Sequence, residues 1–246
     1  MSLAGVKDAG VSAAGVGGAP PGNHNGGDLF DRLKAATASD WNAYVDHPFV
    51  RGLGDGTLPV ESFRHYLAQD YLFLIQFARA YALAVFKGET LAEMRQAASG
   101  VSAILDEMSL HVRLCEGWGL TAAELETVPE ARATVAYTRY VIDTGLRGDL
   151  LDLQVALAPC VVGYAEIGET LAARPGALDA SNPYRDWIAE YAGEGYRDVA
   201  RRSRAALDAS AAVRLSEARF DRLVAIFRQA TRLEADFWQM GLTRAD

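Results

Sequence analysis

Cys160, Asp70 and Glu234 each place a reactive or ionisable group among apolar neighbours. Cys160 follows Pro159 within Ala156-Leu157-Ala158-Pro159-Cys160-Val161-Val162-Gly163-Tyr164, a run with helical character. The proline removes one backbone donor and crowds the preceding turn, so a bend is expected there with a thiol beside it. A thiolate is a strong nucleophile, whereas a free cysteine is more often a small core-filling side chain, and spacing alone favours that plainer role. Asp70 falls on the stripe Phe63, Tyr66, Leu67, Phe73, Leu74 and Phe77, and Glu234 precedes Phe237 and Trp238 by three and four residues. A carboxylate on an apolar helix face must find a partner or shift its pKa, because unpaired buried charge is expensive. For Asp70 a structural ion pair with Arg79 or Arg139 is one answer. Two such carboxylates and a cysteine at a bend point to another, an aromatic-lined site for nucleophilic and acid–base chemistry. Tyr137, Tyr164 and Tyr191 offer stacking faces and hydroxyls for it, although tyrosines on bundle helices commonly pack in the core.

Metal and haem chemistry find less support. Glu107 and His111 are four apart and Glu166 and Glu169 three apart, but the paired Glu-x-x-His of dinuclear carboxylate sites is missing. A lone His65 is more often a surface or capping residue than a haem ligand. No metal and no cofactor are expected. Cys115 has only a packing role.

The elements that must position these groups read as helices. Apolar residues recur at three- and four-residue steps, and start and stop signals fall between the runs. Leu58-Pro59 precedes one helix, Thr121 with Glu124 forms a capping pattern, Asn182-Pro183 precedes Tyr184, and Gly193 to Gly195 makes a break. Helices are expected at about 29–43, 60–87, 89–117, 121–126, 130–147, 149–173, 183–192, 194–209 and 213–240, with no alternating strand. Residues 1–27 are rich in Gly and Ala and hold no aromatic residue, so a flexible tail is expected there, followed by one all-α catalytic domain over 28–246. Long unequal helices without a solenoid repeat favour a bundle, whose ligand sites lie between helices.

Composition narrows the partners. The 246 residues carry 24 Lys and Arg against 32 Asp and Glu, a formal net charge of −8, which argues against a surface for nucleic acid or anionic lipid. The best candidate for a membrane span, Tyr71 to Phe86, carries Gln76 and Arg79. No membrane association is expected, and with two cysteines and no signal-like segment the cytoplasm is the expected compartment.

From about Leu29 to Leu242 the sequence resembles the TenA family, also called thiaminase II or aminopyrimidine aminohydrolase, whose fold is the haem-oxygenase-like helical bundle. The likeness is carried by Tyr66-Leu67-Ala68-Gln69-Asp70, Ala136-Tyr137-Thr138, Pro159-Cys160 through Tyr164 to Gly168-Glu169, and Glu234-Ala235-Asp236-Phe237-Trp238. The segment from Tyr184 to Gly193 is similar to an aromatic stretch of that family. The resemblance implies that Cys160 is the nucleophile and Glu234 the acid–base. It implies that Asp70 holds the exocyclic amine and ring nitrogen of a pyrimidine, that Tyr137 and Tyr191 are pocket aromatics, and that Tyr164 is a nearby hydroxyl. Phe73 stands where many members carry tyrosine. The implied partner is a small-molecule aminopyrimidine or thiamin, and the implied assembly a homotetramer. Two other functions compete: a haem-oxygenase-like relative acting as an oxidase in cofactor biosynthesis, whose pocket would present histidines, and a non-catalytic pyrimidine-binding protein.

Overall fold

The computed structural model describes residues 28–246, except for the side chains of Glu107, Ser109 and Leu110. The expected tail over 1–27 therefore lies outside the described residues, as does the Glu107 side chain of the Glu107 and His111 pair. Eleven helices and no strand occur among the described residues: α1 (Leu29–Ala36), α2 (Ala38–Val45), α3 (Pro48–Gly54), α4 (Val60–Lys87), α5 (Leu91–Gly117), α6 (Ala122–Leu125), α7 (Arg132–Arg147), α8 (Leu150–Ala172), α9 (Arg185–Ala192), α10 (Glu194–Arg214) and α11 (Glu217–Thr243).

The centre of the bundle is α8. It packs against α7, α9, α10 and α11, while α4 lies against α5, α7 and α11. A helix buried on every side has no polar face to keep, which explains its nearly unbroken run of apolar residues. Among the described residues α8, rather than Tyr71 to Phe86, is the helix long and apolar enough to cross a membrane, but 83% of its most apolar stretch is buried in the bundle. The helix continues through Pro159 without a break, and the Tyr44 hydroxyl donates to the Pro159 carbonyl at 3.3 Å. Gly163, one turn on, makes that approach possible, since a Cβ there would lie 2.5 Å from the Tyr44 ring.

The capping signals place several boundaries. Thr121 and Glu124 form a reciprocal capping box at α6, and Thr90 with Glu93 does the same for α5. Three expectations need correction. The expected helix over 29–43 is split at Thr37, whose side chain turns back to the Leu33 carbonyl at 2.9 Å. A short helix, α3, follows where none is expected: His47 Nδ1 accepts from the Phe49 amide at 3.2 Å, and Pro48 occupies the first turn. Histidine is an uncommon cap, so the start signal is hard to see in the chain alone. Finally, α10 runs on to Arg214 rather than ending near 209, held by Arg214 to Glu93 at 2.7 Å, a contact between residues far apart in sequence.

Candidate active site

Helix α4 brings Asp70 and Phe73 to the inner face of the bundle, and α8 brings Cys160 and Tyr164 opposite them. Tyr191 arrives on α9. The close approach of α9 depends on Gly168, where a Cβ would stand 2.5 Å from the Tyr191 carbonyl carbon. Asp70, Phe73, Cys160, Tyr164 and Tyr191 wall one cavity of about 1030 Å³, a volume that includes its opening to solvent. The wall is mostly apolar and aromatic, as expected of a small-molecule site. Tyr81 and Tyr196 are among its other lining residues, and neither is singled out by sequence reasoning.

Glu234 and Tyr137 are placed differently. Neither lines the cavity; they lie behind Cys160, where the thiol donates to the Glu234 carboxylate. The Tyr137 hydroxyl donates to Glu234 Oε1 at 2.8 Å, and Glu234 is only 1% exposed. Burial raises the Glu234 pKa from 4.5 to about 8, with the nearby Asp70 charge adding to the rise and the Tyr137 and Cys160 hydrogen bonds opposing it. Cys160 thus stands between a proton-holding carboxyl and the open cavity. Phe73 packs its ring against Tyr137 and Phe237, with centroids 5.1 and 5.5 Å apart, and carries no hydroxyl toward this group.

Asp70 does not pair with either expected arginine. Arg79 bonds Gln76 and Arg139 bonds Glu130, both away from the cavity. Instead the Tyr66 hydroxyl donates to Asp70, and Tyr66 in turn accepts from Tyr164 and from Trp187, whose Nε1 is 3.3 Å away. His111, on α5, places Nδ1 3.5 Å from Asp70 Oδ2. Burial raises the Asp70 pKa from 3.8 to about 7, opposed by the Tyr66 hydrogen bond. The four phenols around the two carboxyls, Tyr44, Tyr66, Tyr137 and Tyr164, are all pushed well above 10 by burial and so remain neutral donors at physiological pH.

Sequence reasoning therefore missed Tyr66 as a hydrogen-bond relay, Tyr44 as the phenol beside Cys160 and Glu234, and His111 as the neighbour of Asp70. For Tyr66 the signal was available, since it lies one helical turn before Asp70 on the same face. No group of three or more His, Cys, Asp and Glu side chains suited to a metal ion occurs among the described residues.

The chain is similar over most of its length to several known proteins. An aminopyrimidine aminohydrolase from Halalkalibacterium halodurans is 41% identical over 203 residues, covering 82% of this chain and 89% of the relative. Among solved structures, a TenA family transcription regulator from Silicibacter sp. TM1040 superposes with a TM-score of 0.85 at 46% identity, covering 88% of this chain and 97% of that one. A domain of unknown function with a heme oxygenase-like fold from Shewanella denitrificans OS217 superposes with a TM-score of 0.71 at 15% identity over 87% and 92% of the two chains, which bears on fold alone. The fold is thus haem-oxygenase-like. The TENA/THI-4/PQQC family model matches residues 35–244, and on that span together with these relatives the chain belongs to the TENA/THI-4/PQQC family.

Proposed function

We propose that this chain is an aminopyrimidine aminohydrolase of thiamin salvage, converting 4-amino-5-aminomethyl-2-methylpyrimidine, with thiamin as a further substrate, to 4-amino-5-hydroxymethyl-2-methylpyrimidine. The observation that carries the reading is the position of Cys160, open to the cavity on one side and hydrogen-bonded to Glu234 on the other. The relative named aminopyrimidine aminohydrolase supports it.

Direct displacement of an amine from the exocyclic carbon is difficult, and addition of a thiolate to the pyrimidine ring opens an easier route. In this reading Glu234 takes the Cys160 proton, the sulfur bonds to a ring carbon, and Glu234, which does not itself line the cavity, returns the proton to a ring nitrogen through one bridging water. The aminomethyl group, bound as its ammonium ion, then leaves the electron-rich adduct as ammonia, the C–N bond pair departing with nitrogen. Water adds at that carbon and gives up a proton, and loss of the ring proton with cleavage of the C–S bond restores the aromatic ring and the thiol. The net change is water in and ammonia out. A carboxyl with a pKa of about 8 suits both proton transfers near neutral pH, because acid and base forms are both accessible. Asp70 reads the amidine edge and orients the ring, and Tyr164 and Tyr191 form part of the cavity around it.

Turnover of both compounds by the purified protein, followed by chromatography, tests the reading. Cys160→Ser is expected to fold, bind the pyrimidine and not turn over; more than about a tenth of wild-type kcat would correspond to a loss of only about 1.4 kcal/mol and sink the nucleophile role. A homotetramer belongs to the same reading and rests on the resemblance to the TenA family. Light scattering that reports a monomer at micromolar concentration would reject it.

A further inference from the structure

His111 takes no part in the chemistry just described, yet it is 6% exposed and both of its ring nitrogens face polar atoms. Nε2 lies 3.0 Å from the Leu67 carbonyl. A carbonyl only accepts, so Nε2 carries a hydrogen, and Nδ1 is the nitrogen whose proton varies. That nitrogen is 3.5 Å from Asp70 Oδ2. Two lone pairs facing each other in a buried site repel, so the stable arrangement has one proton held between imidazole and carboxyl.

The ligand chemistry of the proposed function, on which this inference rests, makes that proton useful. The edge of a neutral 4-aminopyrimidine presents one acceptor, the ring nitrogen, and one donor, the exocyclic amine. A bare carboxylate offers only acceptors and meets the ring nitrogen lone pair to lone pair. A carboxyl that holds a proton offers one donor and one acceptor and matches the edge at both atoms.

We propose that His111 is a positioning residue of the aminopyrimidine site, holding one proton jointly with Asp70 so that the carboxyl meets the pyrimidine edge as both donor and acceptor. The proton moves from the pair into the contact between Asp70 and the ring nitrogen when ligand binds, and returns when it leaves; no proton is gained or lost. A pair that shares one proton retains it to higher pH than either member alone. The other groups facing Asp70 are Tyr66 on α4, Cys115 on α5, Tyr164 on α8 and Glu234 on α11. The phenols and Cys115, whose thiol burial pushes up to about 12, stay neutral across the relevant range. Arg113, Asp186 and Glu190 share a neighbouring cavity with His111. Glu234 titrates in the same window, so the test must report on His111 itself.

Two measurements do so. In the ligand-free protein, nitrogen NMR of His111 is expected to show a protonated Nε2 at every pH and an Nδ1 signal that titrates together with Asp70, its midpoint moving in Asp70→Asn. A bare Nε2, or an Nδ1 indifferent to Asp70→Asn, overturns the proposal whether or not the protein turns over any pyrimidine. The second is the pH dependence of equilibrium binding of 4-amino-5-hydroxymethyl-2-methylpyrimidine to wild type and to His111→Gln, which keeps a donor for the Leu67 carbonyl and loses Nδ1. Binding is expected to fail at a pH lower by about one unit in the variant, a roughly tenfold loss at the pH where the wild type still binds. A loss uniform across pH would assign His111 a purely structural role and overturn the proposal. Absence of turnover by a wild-type protein with the expected ring-nitrogen signals would instead remove the proposed function and leave the shared proton standing.

Discussion

Glu234→Gln is expected to make the protein more stable while removing its activity. The carboxyl is 1% exposed, and burial is the first cause of a pKa raised from 4.5 to about 8. Its partners, the Tyr137 hydroxyl and the Cys160 thiol, only partly offset that burial, and no cation is among the causes acting on it. In the unfolded chain Glu234 ionises near 4.5, whereas in the folded chain it keeps its proton to about 8, so across this window the native state binds more protons. Stability contributed by the group is therefore fully present below about pH 4.5 and is lost as pH rises toward 8, by about 1.4 kcal/mol per unit, or about 3 kcal/mol at pH 7. Glutamine does not ionise in either state and can still accept from Tyr137. Allowing for an imperfect amide contact with Cys160, we expect a gain of about 1–3 kcal/mol at pH 7, with roughly 2–4 °C in Tm for each kcal/mol. Turnover is expected to fall about 10²–10⁴-fold with the loss of the exchangeable proton. Thermal unfolding of both proteins between pH 4 and 9, read beside turnover, checks this: the curves should converge at the acid end and diverge toward pH 8. A variant less stable than wild type at pH 7, or a gap that narrows as pH rises, would show that Glu234 is an ionised structural partner and refute the reasoning.

Phe73→Tyr places a hydroxyl on a ring that already lines the cavity beside Cys160; it is expected to lower the pH at which Cys160 is alkylated and to raise turnover modestly, and an unchanged alkylation profile would mean that another donor already serves the sulfur. Gly168→Ala drives a Cβ to within 2.5 Å of the Tyr191 carbonyl carbon, where backbone cannot yield. It should cost about 1–3 kcal/mol in denaturant unfolding and raise KM several-fold by displacing Tyr191. Gly163→Ala meets the buried Tyr44 ring at 2.5 Å and should cost a similar amount. Gly195, with nothing within 4 Å of its Cβ position, is the control, and Gly195→Ala is expected to stay within about 0.5 kcal/mol of wild type.

Much of this protein is determined by short-range sequence. The stripe from Phe63 to Phe77 and the run from Leu150 to Leu171 specify helices because a 3.6-residue period places neighbouring turns on one face, a relation set within a few residues. The same locality marked Asp70 and Glu234 as carboxyls out of place, since their apolar neighbours lie on their own helices. What each carboxyl faces is not a local property. Glu234 meets Tyr137 from 97 residues earlier, and Asp70 meets His111 from the next helix instead of Arg79 from its own. Helix rotation and approach are decided by which side chains interlock when α4, α5, α8 and α11 pack, and the periodicity of any one helix says nothing of its partner's register. The position of Cys160 between Glu234 and the cavity arises from the same packing: the chain supplies a thiol on a buried helix, and the closeness permitted by Gly163 and Gly168 is realised only when Tyr44 and Tyr191 arrive from α2 and α9. The raised pKa values follow last, because desolvation exists only once every neighbouring helix has excluded water from the carboxyls.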